Sequence, residues 1–195
     1  MRLITLPHQH PKEIELLKEA LRLPQMWVHV RRPGASFMEM LTYLLQFSEQ
    51  ERSRIVLHQQ QQVALVMGIQ SLHIPTPIRE AGNYPQEKIE GIIMSTSTHS
   101  WDEFNALSSL FKFAFISPLF PSISKEGYGC EQQIESPIKR VNQHTEAIAL
   151  GGIDATKLAI IKDKGFADYA LCGAIWHSQT PTKELIRCYK LIHSS

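Results

Sequence analysis

The chain has 195 residues, 43% of them hydrophobic and 20% charged, and its formal net charge is +1. These values are typical of a globular protein with one buried core, and they exclude a strongly basic surface of the kind that binds nucleic acid or anionic membranes. We therefore expect a single domain over residues 1–195 whose partners are small molecules, not nucleic acid or membranes.

Two further features favour a reducing cytoplasm. The apolar N-terminal stretch is interrupted at Thr5 and Pro7, unlike a secretory signal, and no run approaches the roughly 20 apolar residues that span a bilayer. The three cysteines are odd in number and lack CxxC spacing. This argues against both a disulfide framework and a cysteine zinc site.

Eight short apolar runs, rich in β-branched or aromatic residues, recur along the chain and are predicted as strands. They are Leu3–Leu6, Trp27–Val30, Arg54–Leu57, Leu72–Ile74, Gly91–Ser95, Lys112–Ser117, Glu146–Leu150 and Asp168–Cys172. Segments with helical periodicity lie between most of them, which is typical of parallel α/β architecture. Eight strands favour a compact (β/α)8 TIM barrel with shortened helices, and an open doubly wound sheet is the alternative.

Signals for the start and end of helices support this division of the chain. Ser36 with Glu39, and Ser100 with Glu103, have the S/T-x-x-E spacing of a capping box, and both pairs follow a predicted strand. Asp154 is predicted to cap the helix after the seventh strand. Several prolines follow the fourth strand, so its helix is predicted to be short or missing.

Small residues follow the last two predicted strands. Gly151 and Gly152 come after strand seven, and Gly173 and Ala174 come after strand eight. Glycines allow a close approach to the backbone, and the loops at this end of a barrel often bind phosphate at a helix N-terminus. We predict a phosphate site here, although a double glycine is also common in a plain turn.

The loop after strand six, residues 117–129, combines hydroxyl groups with a positive charge. Ser122 and Ser124 could donate hydrogen bonds to an anionic substrate while Lys125 supplies charge. The alternative is a solvated surface loop without a ligand.

The end of strand two places His29 and Arg31 on one face, because side chains alternate along a strand. If that face is the interior of the barrel, Arg31 is a charge that needs an anionic partner.

Three histidines, His29, His58 and His73, lie near the ends of successive predicted strands. They would meet if all three faced inward, and three histidines can bind zinc and activate water. No carboxylate is evident to orient them, so packed core histidines are the simpler interpretation.

Four segments together resemble thiamine phosphate synthases and TenI-like proteins in order and spacing. They are residues 28–34 (VHVRRPG), 97–100 (STHS), 117–125 (SPLFPSISK) and 149–153 (ALGGI). The resemblance covers strands two to eight. It implies a (β/α)8 barrel that transfers hydroxymethylpyrimidine from its pyrophosphate to thiazole phosphate, giving thiamine phosphate and pyrophosphate.

The same resemblance implies roles for individual residues. The pyrophosphate, or the loop over it, would be held by Arg31, Ser97, Ser122, Ser124 and Lys125, of which Arg31, Ser97 and Lys125 would be catalytic. Gly152 and the turn at Cys172, Gly173 and Ala174 would hold the thiazole phosphate. His29, His58 and Gly151 are further candidates for contacts with substrate or phosphate.

The metal site departs from the family pattern. The family binds Mg²⁺ through aspartates after strands three and four, and His58, Gln59 and Ile78 stand in those slots. We expect that Gln59, together with Glu80 or Glu126, could still support a weak Mg²⁺ site, since magnesium prefers oxygen ligands and keeps several waters.

Two alternative functions stay open. A TenI-like thiazole tautomerase would need a new proton carrier, such as His29 or His58, because Pro118 stands where that enzyme has its histidine. A regulatory protein could keep the phosphate site without catalysis. The resemblance also implies a possible homodimer.

Overall fold

Eight parallel strands form a closed barrel in which each strand neighbours the next one in the sequence. The computed structural model describes residues 1–121, 140–162 and 164–193. The strands are β1 (Arg2–Ile4), β2 (Trp27–Val30), β3 (Ile55–Leu57), β4 (Ser71–Ile74), β5 (Ile93–Thr98), β6 (Phe111–Ile116), β7 (Glu146–Ala149) and β8 (Asp168–Leu171). The predicted (β/α)8 barrel is therefore confirmed, and the alternative of an open doubly wound sheet is wrong.

Helices lie between most of the strands and after the last one. They are α1 (Glu13–Arg22), α2 (Phe37–Leu44), α3 (Glu49–Arg52), α4 (Gln61–Met67), α5 (Thr76–Glu80), α6 (Trp101–Asn105), α7 (Ala155–Ile161), α8 (Gly173–Trp176) and α9 (Pro181–His193). The helix after β4 has only 5 residues, as its prolines predicted. Within the described part of the chain, no helix is both long enough and apolar enough to cross a bilayer.

The predicted helix starts are confirmed by side-chain hydrogen bonds. Ser36 and Glu39 form a complete capping box at α2. The Ser100 side chain accepts from the backbone N–H of Glu103 at α6, and Asp154 caps α7. The short helix α3 was not predicted, although a capping box of the same spacing begins it.

Contacts between Cα atoms divide the chain into two compact units. One comprises residues 2–96, and the other comprises residue 1 with residues 97–195. We call them the first and the second unit. The predicted single domain over residues 1–195 stays a prediction.

In the first unit, alternation along the strands separates an apolar face from a polar one. Val28 and Val30 are completely buried on one face of β2, and His29 lies between them on the opposite face. The parallel register places Ile4 beside His29, and His29 beside Val56. The polar face therefore carries the residues of interest to function.

A buried ion pair ties α1 and α2 to the end of β2. The Arg32 guanidinium donates to the Glu13 carboxylate, which is fully buried, and Tyr43 Oη donates to the same carboxylate over 2.5 Å. Burial, followed by the charge of Glu13, raises the pKa of Tyr43. Arg32 is thus committed to holding the fold together, whereas its neighbour Arg31 is not part of this pair.

In the second unit, β6 and β7 pair through buried apolar residues, including three alanines. Ala114 lies opposite Ala147, and Ile116 lies opposite Ala149. The N-terminal ammonium of Met1 pairs with Asp168 at the start of β8 over 2.9 Å. These contacts fix the strands from whose ends the glycine loops emerge.

Candidate functional site

Three histidines meet on the polar face of the first unit. His29, His58 and His73 are 0%, 6% and 2% exposed. His29 Nδ1 lies 3.1 Å from His58 Nε2, and the rings of His58 and His73 stack with their centroids 4.0 Å apart. One possible ligand atom from each residue lies within 4.8 Å of the other two. The sequence left open whether the three histidines meet, and the structure shows that they do.

An arginine fixes the tautomers of two of these histidines. Arg2 Nη1 lies 3.3 Å from His29 Nε2, and a guanidinium can only donate. His29 Nε2 is therefore the acceptor, and the ring proton is on Nδ1, from which it is donated to His58 Nε2. The proton of His58 is then on Nδ1. This assignment follows from the donor chemistry of arginine.

The third histidine has a different partner. His73 Nδ1 lies 3.1 Å from Ser95 Oγ, and that hydroxyl donates to the carbonyl of Leu72 over 3.2 Å. Because the single hydroxyl proton of Ser95 goes to the carbonyl, Ser95 Oγ accepts from His73 Nδ1. The proton of His73 is therefore on Nδ1 and its Nε2 carries the lone pair.

Burial keeps all three imidazoles neutral. It is the largest cause of a lowered pKa at each of them. Positive charges contribute to the lowering: Arg2 acts on His29 and His73, and Arg31 acts on His58 and His73. Together these causes take the pKa of His73 to about 3. None of the three is an imidazolium ion at neutral pH.

The surroundings of the histidines are cationic. Arg2 is only 4% exposed. Arg31 is half-buried, directly follows β2, and lies near enough to His58 and His73 to lower their pKa values. The side chain of Arg79 is 11% exposed and donates to Thr96 Oγ1 over 3.4 Å. Three guanidinium groups near neutral imidazoles favour an anionic ligand.

The glycines after β7 let the preceding loop approach closely. A Cβ on Gly152 would lie 2.2 Å from the carbonyl oxygen of Pro121, and a Cβ on Gly151 would lie 2.7 Å from Pro118 Cα. Both glycines have positive φ, 103° at Gly151 and 62° at Gly152. Leu119 N–H donates to the Leu150 carbonyl over 3.0 Å. These glycines thus have a packing role, and their predicted contact with phosphate stays a prediction.

The remaining predicted site residues are distributed over the second unit. Gly173 is buried at the start of α8, and Ala174 beside it is half-buried. Ser97 is half-buried on β5. Ser122, Ser124 and Lys125 lie outside the described residues, as does Glu126.

The predicted magnesium ligands have other partners. Gln59 Oε1 accepts the backbone N–H of Arg32 over 2.8 Å. The Glu80 side chain is 65% exposed and lies 3.8 Å from Arg79. Ile78 is exposed and offers no oxygen from its side chain. A Mg²⁺ ion needs several hard oxygen ligands, so these three positions do not fit it. Magnesium binding by Gln59 and Glu80 stays a prediction without support from their contacts.

Sequence reasoning missed Arg2, Ser95 and Arg79. Arg2 opens β1, and a charged residue in the first position of a short buried strand is the one signal that could have identified it. Ser95 could have been found from its register, since it pairs with His73 on the neighbouring strand. Arg79 stands on a helix too short to show a periodicity.

The chain matches one known protein family over most of its length. The profile of the family described as thiamine monophosphate synthase matches residues 1–175. No curated protein sequence matches the chain.

Solved structures show the same fold at low sequence identity. Thiamine phosphate pyrophosphorylase from Bacteroides thetaiotaomicron superposes with a TM-score of 0.77 at 21% identity, covering 98% of this chain and 96% of its own. Thiamine phosphate pyrophosphorylase from Pyrococcus furiosus gives 0.74 at 17% identity, with 98% and 94% covered. The 3-hexulose-6-phosphate synthase from Salmonella typhimurium gives 0.64 at 12% identity, with 98% and 97% covered.

Proposed function

Because the chain belongs to the thiamine monophosphate synthase family, we propose that it transfers hydroxymethylpyrimidine from its pyrophosphate ester to thiazole phosphate. The products are thiamine phosphate and pyrophosphate. Within the chain, the proposal depends above all on the cationic surroundings of the histidines, where Arg2, Arg31 and Arg79 lie close enough to lower the pKa of His73. A site that releases pyrophosphate needs such charge.

The reaction requires the enzyme to stabilise negative charge on a leaving group. The C–O bond between the pyrimidine methylene and pyrophosphate breaks, and its electron pair leaves with the pyrophosphate. The thiazole nitrogen then donates its lone pair to the pyrimidine carbocation and forms the new C–N bond. Guanidinium groups that are already in place stabilise the developing charge without reorganisation. We assign this role to Arg31, with Lys125 and Ser97 as further catalytic groups.

Neutral histidines suit this chemistry as hydrogen-bond donors. The ring proton of His58 is on Nδ1, because its Nε2 accepts from His29. A neutral imidazole N–H can donate to a phosphate oxygen without adding a buried charge. We therefore propose that His58 contacts substrate and that His29 holds its tautomer.

The thiazole phosphate is proposed to bind at the small residues after β7 and β8. Gly152 has no Cβ that could obstruct its backbone N–H. Gly173 and Ala174 are the first two residues of α8. Backbone N–H groups of such turns bind phosphate oxygens. Ser122 and Ser124 complete the proposed pyrophosphate contacts. No step is assigned to magnesium, since Gln59 Oε1 already accepts a backbone N–H and the Glu80 side chain is mostly exposed.

The test is the coupling reaction itself. Purified protein is incubated with both substrates, with and without Mg²⁺, and thiamine phosphate is measured by chromatography. We expect product in the wild type and a loss of about 100-fold in kcat/KM on Arg31→Ala, because charge stabilisation of a leaving group is worth about 3 kcal/mol. Lys125→Ala is expected to have an effect of similar size.

The control is Arg22→Ala, which removes an arginine whose side chain is 72% exposed on α1. It should leave kcat/KM unchanged. A folded wild-type protein that forms no thiamine phosphate under either condition would refute the synthase proposal.

A thiazole phosphate tautomerase is the second candidate, favoured by the hydrogen-bonded pair of neutral histidines. Such a reaction moves one proton and needs no pyrophosphate. Conversion of the thiazole tautomer without coupling, lost on His58→Gln, would select it. Binding of thiazole phosphate without either conversion would select a regulatory protein. The cytoplasmic location and the homodimer stay predictions.

A further inference from the structure

The histidine cluster suggests a second property, which does not depend on the reaction that the chain performs. We propose that His29, His58 and His73 bind one divalent transition-metal ion, with Zn²⁺ as the reference ion. All three belong to the first unit and lie on three neighbouring strands or at their ends. The proposed metal is distinct from magnesium, whose expected oxygen ligands do not fit.

The spacing of the nitrogens is close to that of a metal site. Two ligands of a tetrahedral zinc ion lie about 3.3 Å apart when each Zn–N bond is about 2.05 Å. His29 Nδ1 and His58 Nε2 are separated by 3.1 Å. Three atoms within 4.8 Å of one another share a centre at most about 2.8 Å from each, so ring movements of about 0.7 Å would complete the site.

The protonation and chemistry of the ligands are also suitable. A metal binds the neutral imidazole, and burial already keeps the pKa of each ring below its usual value. His73 is oriented through Nδ1 by Ser95, so Nε2 is its proposed ligand atom. Three nitrogen ligands select zinc, cobalt, nickel or copper over magnesium or calcium.

Arg2, Arg31 and Arg79 all oppose a bound cation, and Arg2 opposes it most directly because it contacts His29. To bind through Nδ1, His29 must move its proton to Nε2, where Arg2 Nη1 lies 3.3 Å away and can only donate. Two donors then face each other, and the guanidinium repels the cation. Removing Arg2 should therefore strengthen metal binding, whereas a purely structural network would gain nothing from its loss.

The experiment uses full-length protein without a polyhistidine tag, stripped of metal by a chelator. Binding of Zn²⁺ is measured by competition with a chromophoric chelator, and binding of Co²⁺ by its visible absorption. We expect one ion per chain, a tetrahedral cobalt spectrum, and a thermal midpoint that rises with zinc concentration. His58→Gln and His73→Gln should each weaken binding by roughly 100-fold or more, beyond the 10- to 100-fold typical of an outer-shell partner.

Two further variants test whether the bound ion sits at this cluster. His144→Gln removes an exposed histidine of the second unit and should bind zinc like the wild type. Arg2→Met should tighten binding by roughly tenfold because it removes a nearby positive charge. Circular dichroism establishes that each variant is folded.

The proposal is overturned if the wild type shows neither a stoichiometric cobalt spectrum nor a thermal shift. It is also overturned if folded His58→Gln and His73→Gln proteins bind zinc as tightly as the wild type. In either case the three histidines form only a hydrogen-bonded network. None of these readouts requires thiamine phosphate formation, so failure of the metal site and failure of the synthase proposal are distinguishable.

Discussion

The two units of the chain differ in whether their distinctive close contacts are made by side chains or by the backbone. In the first unit they are made by side chains: buried histidines and arginines occupy the polar face of the strands. In the second unit they are made by the backbone: Gly151 and Gly152 allow one loop to lie against another at a distance that no side chain permits. Removing one side chain of a buried pair leaves a charged partner without its counter-charge, whereas adding a Cβ at such a glycine forces the backbone to move.

The largest effect is expected from breaking the buried ion pair of the first unit. Glu13→Ala leaves the Arg32 guanidinium without its carboxylate in a site where Glu13 is fully buried. We expect a loss of about 3–5 kcal/mol in the free energy of unfolding, measured by urea denaturation. Glu15→Ala, two residues further along α1 and exposed, is the control, and equal losses in both variants would contradict the assigned role of the ion pair.

A smaller loss is expected from the backbone contact of the second unit. Gly152→Ala places a Cβ 2.2 Å from a backbone oxygen at a φ of 62°, and we expect a loss of at least about 2 kcal/mol in stability. Gly34→Ala has a φ of 84° but no atom within 4 Å of the added Cβ, so it should lose only about 1 kcal/mol. If urea denaturation finds equal losses, the close approach of the loops does not matter and the contrast between the units fails.

The pH dependence of stability tests whether the buried histidines of the first unit are neutral in the folded protein. Folding lowers the pKa of His73 to about 3, so its contribution to stability is complete above its unfolded pKa of about 6.5 and is lost as the pH falls below that value. Between pH 7.5 and 5.5, metal-free protein should lose between about 1 and 2 kcal/mol of stability through His73.

The contribution of His73 to this pH-dependent loss of stability is measured by comparing a variant with the wild type. In His73→Gln, the decrease in the free energy of unfolding between these two pH values should be smaller than in the wild type by between about 1 and 2 kcal/mol. His144→Gln, exposed in the second unit, should match the wild type. Parallel curves for His73→Gln and the wild type would show that His73 is not held neutral.

The smallest effect concerns a helix cap of the second unit. The Asp154 carboxylate accepts the backbone N–H groups of Thr156 and Lys157, each over 3.0 Å. Asp154→Ala should lose about 1 kcal/mol of stability in thermal or urea unfolding, and Asp154→Asn should lose less because its side-chain oxygen can still accept. An alanine variant as stable as the asparagine variant would show that the cap contributes nothing.

Much of the fold could be predicted because the relevant information is local. The eight strands follow from short apolar runs, and the caps at Ser36 and Asp154 follow from spacings of a few residues. The short helix after β4 follows from prolines that cannot supply an N–H. The helix α3 was missed because its four residues carry no periodicity.

The candidate site could be predicted only in part, because its members are distant in the sequence. Alternation along β2 indicated that His29 and Arg31 share a face, yet it could not show that Arg2 would hold the tautomer of His29. Nor could it show that Arg31 and Arg32 have different roles, because only the structure shows that Arg32 donates to Glu13. The glycine pair after β7 predicts a phosphate contact, whereas its packing against the preceding loop depends on the fold.

The sequence by itself determined the order of the strands, the starts of the main helices and the family, because these depend on neighbouring residues and on motifs with fixed spacing. Only the tertiary structure decided that three histidines from β2, the end of β3 and β4 would meet, and that they would be neutral when they did. The reason is physical: a strand's periodicity sets the face of a side chain, but its neighbours and its burial depend on the register between strands, which no single segment contains.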